Sequence, residues 1–272
     1  MRFAAATAPG SSARASEDFL AVNPRVALVL DGLSSPAELG SGCVHGTPWF
    51  VAQLGCGLLQ EATTSLERPL VDCLATAISR VADLHRDSCD LTHLGTPSCS
   101  VAMLREGPEL VEHLSLFDSV ILLDGPAGLS VHSDLRVDGY AQEEHRMTER
   151  YGIGTPEHQR AVSRLVAAQR PHRNVPDGYW VAAANPRAAQ HAVTGAVRRD
   201  HLVRAAIMSD GVSCLAEDYG LTDWKGLLDL LGEEGPERVI ARVRDAEAGD
   251  PLGERWPRYK ASDDATVLFC EF

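Results

Sequence analysis

A succession of short apolar runs, each of strand length, constrains the fold of this 272-residue chain most strongly. Turn-forming residues separate the runs, as in GP at 107–108 and DGPAG at 124–128. Such short connections favour antiparallel pairing of neighbouring strands. The predicted strands cover 19–22, 26–30, 100–104, 110–117, 119–123 and 128–134, followed by AAIMSDG at 205–211 and TVLFCEF at 266–272. The pattern predicts a core of antiparallel sheets.

Amphipathic segments predict the helices that cover these sheets. In residues 61–86, apolar residues recur at spacings of three and four, the repeat of one helix face. The glycine-rich segment before it, from Gly40 to Gly57, is predicted to be a connector. Further helices are predicted at 156–169, 186–199, 223–231 and 236–247, with Asn185 as N-cap of the second. Without repeats or low-complexity linkers, the chain is predicted to form one α+β domain over residues 1–272.

Charge and composition exclude several classes of protein. The chain has 25 basic and 38 acidic residues, a net charge of −13, and its acids do not form a tail. This balance argues against nucleic acid and against anionic membranes as partners, and it suits divalent cations. No window approaches the roughly 18 apolar residues of a membrane span, and the N-terminus lacks the apolar region of a signal peptide. A cytoplasmic location is expected.

The seven cysteines are odd in number and form no C-x-x-C pair. This pattern is typical of reduced, mostly buried thiols in a cytosolic protein. His45, His85, His93 and His113 show neither H-x-x-x-H nor HExxH spacing, so they are interpreted as ordinary surface or hydrogen-bonded histidines.

Acidic residues stand at the edges of four strand-like runs. They are Glu17 and Asp18 in ASEDFLAV, Asp31 in VLDG, Asp210 in MSDG, and Asp263 and Asp264 in SDDATVLF. Converging carboxylates repel one another unless a cation neutralises them, and an all-oxygen set favours Mg²⁺ or Mn²⁺. Each site has a plainer interpretation as a turn residue or helix cap. Asp124 in LLDGPAG is predicted to be a hairpin turn, whereas Asp31 and Asp210 taken alone remain open.

These blocks, in this order, resemble the signature blocks of the metal-dependent protein phosphatases, the PPM or type 2C family. The matching stretches are ASEDFLAV, VALVLDG, PSCSVAMLR, LFDSVILLDGPAGLSVHSD, AAIMSDGVS and DDATVLF. The resemblance runs from about residue 14 to the C-terminus. It implies an α/β/β/α sandwich of two antiparallel sheets flanked by helices. Residues 136–204 are similar to the divergent bacterial members and are expected to form an insertion or flap.

The resemblance also implies roles for individual residues. Asp31 is expected to bridge two Mg²⁺ or Mn²⁺ ions, and the Gly32 carbonyl to bind one of them. Asp210 and Asp263 are expected to bind the second ion, and Glu17 and Asp18 to hold metal-bound water. Asp118 is expected to hold a third, looser ion. Asp264 is expected to support the ligands from behind, and Arg14 to bind phosphate. The implied catalytic residues are Asp31, Asp18 and Arg14.

The implied activity is hydrolysis of phosphoserine or phosphothreonine in a phosphoprotein substrate, within a Ser/Thr kinase pathway. The resemblance implies that two divalent ions would activate a hydroxide, which would attack phosphorus in line with the departing oxygen. The chain departs from the family at DGLSS, where Leu33, Ser34 and Ser35 replace histidine and glycines, and at LFDS, where Phe117 replaces glycine. Two alternatives therefore stand: a catalytically weak regulatory or binding protein on the same fold, and a phosphatase of small phosphorylated metabolites.

Overall fold

The computed structural model describes residues 1–33 and 35–272, so Ser34 lies outside the described residues. The strands are β1 (Arg2–Ala8), β2 (Phe19–Val22), β3 (Val26–Gly32), β4 (Cys99–Glu106), β5 (Leu110–Leu116), β6 (Val120–Gly125), β7 (Gly128–His132), β8 (Val193–Arg198), β9 (Arg204–Met208) and β10 (Ala265–Glu271). The α-helices are α1 (Thr47–Thr64), α2 (Leu70–His85), α3 (Gln142–Thr148), α4 (Pro156–Gln169), α5 (Asp210–Ser213), α6 (Trp224–Glu233) and α7 (Pro236–Gly249).

The strands form two five-stranded antiparallel sheets. The first has the order β1-β10-β9-β6-β7 and the second β2-β3-β4-β5-β8. One apolar core lies between the second sheet and the helices α1 and α2, and another between the first sheet and α6 and α7. A third core fills the space between the sheets. This arrangement confirms the predicted α+β sandwich, with layers in the order helix, sheet, sheet, helix.

The strand β3, which has a neighbour on each side, shows why the strand-like runs could be recognised in the sequence. Val26, Leu28 and Leu30 point into the core shared with α1 and α2, while Ala27 and Val29 point into the core between the sheets. A strand that is buried on both faces needs apolar residues throughout, which produces the continuous run VALVL. The apolar run ends at Asp31, near the C-terminal end of β3.

The connector predicted from Gly40 to Gly57 extends only to Gly46, and the rest of this prediction was wrong, because α1 occupies Thr47–Thr64. Its glycines serve packing: a Cβ on Gly55 would lie 2.2 Å from the ring of Phe19, so the helix can approach the sheet only without a side chain there. The single helix predicted over 61–86 is interrupted. α1 ends at Thr64 and α2 begins at Leu70, directly after Pro69.

The helix predicted over 186–199 is only partly present. Asn185 does cap a turn, because its side chain accepts a hydrogen bond from the Arg187 backbone N–H, but the 3₁₀ helix it opens ends at His191. The chain then extends as β8, which pairs with β5. The sequence analysis also missed β1 and α3. The hairpin at Asp124 was predicted correctly, since β6 and β7 pair up to Gly125 opposite Gly128.

None of the helices in the described part of the chain is long and apolar enough to cross a membrane. The segment predicted as a flap, 136–204, contains α3, α4, four 3₁₀ helices and β8, which is an edge strand of the second sheet.

Candidate functional site

Carboxylates from both sheets converge at one end of the sandwich. Asp31 is the second-last residue of β3 in the second sheet, whereas Asp210 follows β9 of the first sheet and begins α5. Their side chains share a hydrogen bond, and Asp31 also lies within electrostatic range of Asp18, Asp118 and Asp263. Asp18, Asp31 and Asp118 are half-buried, and Asp210 keeps an exposed surface although neighbouring groups crowd its carboxyl. Five of the predicted acidic residues therefore form one cluster.

Two glycines allow the acidic segments to approach one another. Gly32 donates its backbone N–H to the Glu17 carbonyl at 3.0 Å, and a Cβ on Gly32 would lie 2.5 Å from that oxygen. A Cβ on Gly211 would lie 2.0 Å from the Asp264 carbonyl oxygen. Any side chain at either position would push these segments apart. In the Asp31-Gly32 and Asp210-Gly211 pairs, the glycine is thus required for close backbone contact and not for a hairpin.

Asp264 and Ser209 hold the surrounding backbone and side chains in place. The Asp264 carboxylate accepts hydrogen bonds from the backbone N–H groups of Gly10, at 2.8 Å, and Glu17, at 2.6 Å. Ser209 Oγ donates to Asp18 Oδ2 at 3.0 Å and accepts from the Thr266 N–H at 2.9 Å. These bonds fix Asp18 against the end of β10.

Burial and mutual repulsion disfavour the charged forms of these carboxyls. Burial, with repulsion from Asp210, raises the pKa of Asp18 to about 7. Loss of hydration and repulsion from Asp263 raise the pKa of Asp210 to about 6. The same two causes raise the pKa values of Asp31 and Asp118 well above their usual range. The cluster therefore carries strain that a cation would relieve.

Lys260 supplies one positive charge to the cluster. Its Nζ lies 2.6 Å from Asp263 Oδ1. Loss of hydration works against the ammonium charge, but Asp263, Asp210 and Asp31 together hold the pKa of Lys260 above its usual value. A single ammonium cannot offset five carboxylates that lie this close together.

The residues of the cluster fit a divalent cation. Asp18 Oδ1 and Asp118 Oδ1 are buried, and neither has a hydrogen-bond partner among the described residues. Buried oxygens left without partners are rare and costly, so they indicate a missing ligand. Because every donor is a carboxylate oxygen, hard ions such as Mg²⁺ or Mn²⁺ match the set better than Zn²⁺.

Phe117 shapes the backbone beside Asp118. Its φ is 71°, in the left-handed region that favours glycine, which accounts for the glycine found at this position of the resembling family. The Phe117 ring stacks on Tyr179 with a centroid distance of 5.4 Å. Leu33 packs against the same apolar cluster, which also contains Val181 and Ala183. The two departures from the family pattern thus form one apolar wall next to the carboxylates.

Two arginines differ in their relation to the site. Arg14 is exposed in the loop between β1 and β2, and it makes no hydrogen bond or ion pair with any residue in the described ranges. Arg170, which the sequence analysis did not single out, is buried and donates to Ser35 Oγ and to the carbonyls of Leu39 and Gly40. An arginine beyond α4 therefore holds the segment that follows the Asp31-Gly32 pair.

No protein-family model and no curated protein sequence matches this chain. Solved structures do match over nearly the whole length. The PPM Ser-Thr phosphatase MsPP from Mycobacterium smegmatis, in complex with cacodylate, is 15% identical, with 100% of this chain and 98% of that one covered and a TM-score of 0.56. The catalytic domain of the serine/threonine protein phosphatase PstP, in complex with two manganese ions, is 17% identical, with 99% and 97% covered and a TM-score of 0.56.

A third match is PppA from Pseudomonas aeruginosa, described as a key regulatory component of the T6SS. It is 18% identical, with 98% of this chain and 96% of that chain covered and a TM-score of 0.55. The chain therefore has the fold of the PPM serine/threonine phosphatases. At these identities the likeness establishes the fold, and the chemistry has to be argued from the residues themselves.

Proposed function

We propose that this protein is a phosphatase of phosphoserine or phosphothreonine that depends on Mg²⁺ or Mn²⁺. The observation that carries the proposal is the cluster of converging carboxylates, with buried oxygens that lack partners, on the fold of the PPM phosphatases. The manganese ions of the similar PstP structure support the choice of metal. The proposed substrate is a phosphoprotein in a Ser/Thr kinase pathway, and the proposed location is the cytoplasm.

The proposed ligands divide by position. Asp31 would contact two ions, because Asp210, Asp118 and Asp263 all lie within electrostatic range of it. Gly32, through its carbonyl, Asp210 and Asp263 would bind one ion each. Glu17 and Asp18 would hold water, and Asp118 would hold a third ion. When bound, two divalent ions would supply an activated water and stabilise the charge on the phosphate oxygens.

The protein's own residues would orient the water and the phosphate. Ser209 fixes Asp18 through its Oδ2, which leaves the buried Oδ1 to accept a hydrogen bond from water. Lys260, paired with Asp263, adds a positive charge that favours an anionic substrate. Leu33 has no proton to give to the departing oxygen, so we propose that solvent protonates it. Arg14 stays a proposed phosphate contact that would require its exposed loop to move.

A regulatory protein on the same fold is the second candidate. It is favoured by the apolar wall of Leu33 and Phe117, which stands where the resembling family has flexible glycines. It is also favoured by the ion pair between Lys260 and Asp263, because an ammonium competes with a metal for the same carboxylate.

Hydrolysis of an aryl phosphate and of phosphopeptides, measured with and without added Mn²⁺ after dialysis against metal-free buffer, tests the proposal. We expect Asp31→Asn to lower the Mn²⁺-dependent rate by more than about 100-fold, the upper range for residues that merely orient a metal ligand. Asp124→Asn is the matched control, because this Asp-Gly aspartate lies in a hairpin and pairs with Arg204.

Three outcomes would contradict the proposal. Activity that survives in Asp31→Asn would remove the metal mechanism. Absence of turnover with bound Mn²⁺ would favour the regulatory candidate. Hydrolysis of small phosphorylated metabolites without hydrolysis of any phosphopeptide would redirect the substrate class.

A further inference from the structure

A second group of metal-binding side chains lies apart from the carboxylates. It comprises Cys43 and His45, in the loop before α1, and His85 and Cys89, at the C-terminal end of α2 and in the turn after it. One ligand atom from each of the four residues lies within 4.8 Å of all the others. Two segments about 40 residues apart in sequence thus present two sulfurs and two imidazoles to one point.

Four of the six distances between these ligand atoms lie within the range of the edges of a metal-centred tetrahedron. Cys43 Sγ lies 3.6 Å from His85 Nδ1, 3.8 Å from His45 Nδ1 and 3.3 Å from Cys89 Sγ, and Cys89 Sγ lies 3.4 Å from His45 Nδ1. Zinc bonds of about 2.3 Å to sulfur and about 2.0–2.1 Å to nitrogen give tetrahedral edges of roughly 3.3–3.8 Å. The two cysteines are free, and their sulfurs are too far apart for a disulfide of about 2.05 Å.

His85 provides an independent indication of a ligand. Its side chain is 2% exposed, yet among the described residues its ring meets no oxygen or nitrogen partner. Nδ1 faces the Cys43 sulfur, and Nε2 has no hydrogen-bond partner within the same ranges. A buried imidazole normally makes better hydrogen bonds than this, and its one hydrogen-bond contact, from Nδ1 to the Cys43 sulfur, directs Nδ1 toward the other three side chains of the group.

The surrounding residues hold the four side chains in place. The His45 N–H donates to Cys43 Sγ at 3.4 Å, a contact that favours a thiolate, and the Cys89 N–H donates to the His85 carbonyl at 2.9 Å. The Asp90 N–H donates to the Gly42 carbonyl at 2.8 Å, which joins the two loops. Trp49 stacks on His45 at 4.3 Å between ring centroids and lies 5.2 Å from His85.

We propose that Cys43, His45, His85 and Cys89 bind one structural Zn²⁺ ion. Two thiolates and two imidazoles form a closed, four-ligand set that suits zinc and leaves no position for a substrate. The ion would fasten the loop at 40–46 to the end of α2. That loop leads from the Asp31-Gly32 pair into α1, and Arg170 holds its other end through Leu39 and Gly40. The proposal does not depend on the proposed phosphatase activity.

Metal analysis of the purified full-length protein tests the proposal. After dialysis in the presence of excess Mn²⁺, we expect one zinc per chain in the wild-type protein and in the control Cys56→Ser, since Cys56 is exposed on α1 and outside the group. Cys43→Ser and Cys89→Ser should each lose at least about tenfold in zinc affinity. Asp31→Asn should keep its zinc, which separates this site from the carboxylate cluster.

If the serine variants fail to fold, measurements on the wild-type protein still test the proposal. Replacement of zinc by Co²⁺ should give the absorption of a tetrahedral site with thiolate ligands, and removal of zinc should lower the melting temperature. Protein from zinc-supplemented cells with no bound zinc and two alkylatable thiols at Cys43 and Cys89 would overturn the proposal. So would a disulfide between these two residues, detected by mass spectrometry of the freshly purified protein.

Discussion

Phe117 combines a strained backbone with a buried, stacked ring. A left-handed conformation costs a residue other than glycine about 1–2 kcal/mol, whereas truncation of a buried phenylalanine to alanine costs about 3–5 kcal/mol. The ring contacts with Tyr179 therefore outweigh the strain. Packing of the ring therefore offsets the free-energy cost of the left-handed backbone at Phe117.

The strain predicts an unusual order of stability. Both Phe117→Ala and Phe117→Gly lose the ring, but only glycine also relieves the positive φ of 71°. We expect the glycine variant to be more stable than the alanine variant by about 1 kcal/mol, the reverse of the order in regular helices and strands. Urea unfolding of the two variants measures the difference. An alanine variant as stable as the glycine variant would show that the backbone there is unstrained.

The raised carboxyl pKa values predict how metal-free protein responds to pH. Asp18 and Asp210 have pKa values of about 7 and about 6 in the folded state, above the ordinary value of 3.8. The folded state therefore binds more protons than the unfolded state between these limits, so stability falls as pH rises from about 4 to about 7. Urea midpoints of protein dialysed free of Mn²⁺, with its zinc content checked, should show this decline.

Mn²⁺ added at pH 7 should restore the lost stability, because the cation takes the place of the protons. Asp118→Asn should reduce the decline, since it removes one of the repelling charges from the cluster. A midpoint that rises over this pH range in the metal-free protein would contradict the electrostatic description of the cluster.

At the scale of elements, α1 shows how packing overrides local propensity. We expect Gly55→Ala to destabilise the protein by about 1–3 kcal/mol, because the new Cβ would lie 2.2 Å from the Phe19 ring. Gly57→Ala on the same helix is the control, since its nearest neighbour would be the Ala77 Cβ at 3.8 Å. It should stabilise by about 0.5–1 kcal/mol. Urea unfolding compares them, and equal effects would contradict the close contact between α1 and β2.

The same contact explains which elements the sequence could predict. Strands such as β3, buried on both faces, leave a continuous apolar run that needs no knowledge of the fold. The glycines of α1 are meaningful only once Phe19 is known to lie against them, so they suggested a connector. β8 was missed because a helix cap at Asn185 precedes it and its residues are mostly exposed without regular alternation, and its partner β5 is distant in the sequence. Tertiary contacts decided these cases.

At the scale of the whole molecule, the carboxylate cluster exists because the two sheets face one another. Asp31 comes from the second sheet and Asp210 from the first, and no spacing in the sequence could show that they meet. The ordered acidic blocks predicted their convergence only through the family resemblance. The Cys43, His45, His85 and Cys89 group had a weaker signal, the short pairs C-x-H and H-x-x-x-C, and it was missed because the pairs are far apart.

The two clusters offer opposite types of metal ligand. Carboxylate oxygens at the junction of the sheets suit hard ions, while thiolates and imidazoles at the end of α2 suit zinc. We expect excess Mn²⁺ to leave zinc bound to the thiolates and imidazoles, because that ligand set binds zinc more tightly than manganese. The net charge of −13 attracts cations to the molecule but cannot produce this selectivity.

The central claim is that the converging carboxylates bind divalent metal. An anomalous difference map from a crystal of the protein soaked in Mn²⁺, recorded at the manganese absorption edge, tests it most directly. The account predicts manganese peaks in contact with Asp31, Asp210 and Asp263. An ordered cluster without a manganese peak, in which Lys260 keeps its ion pair with Asp263, would contradict it.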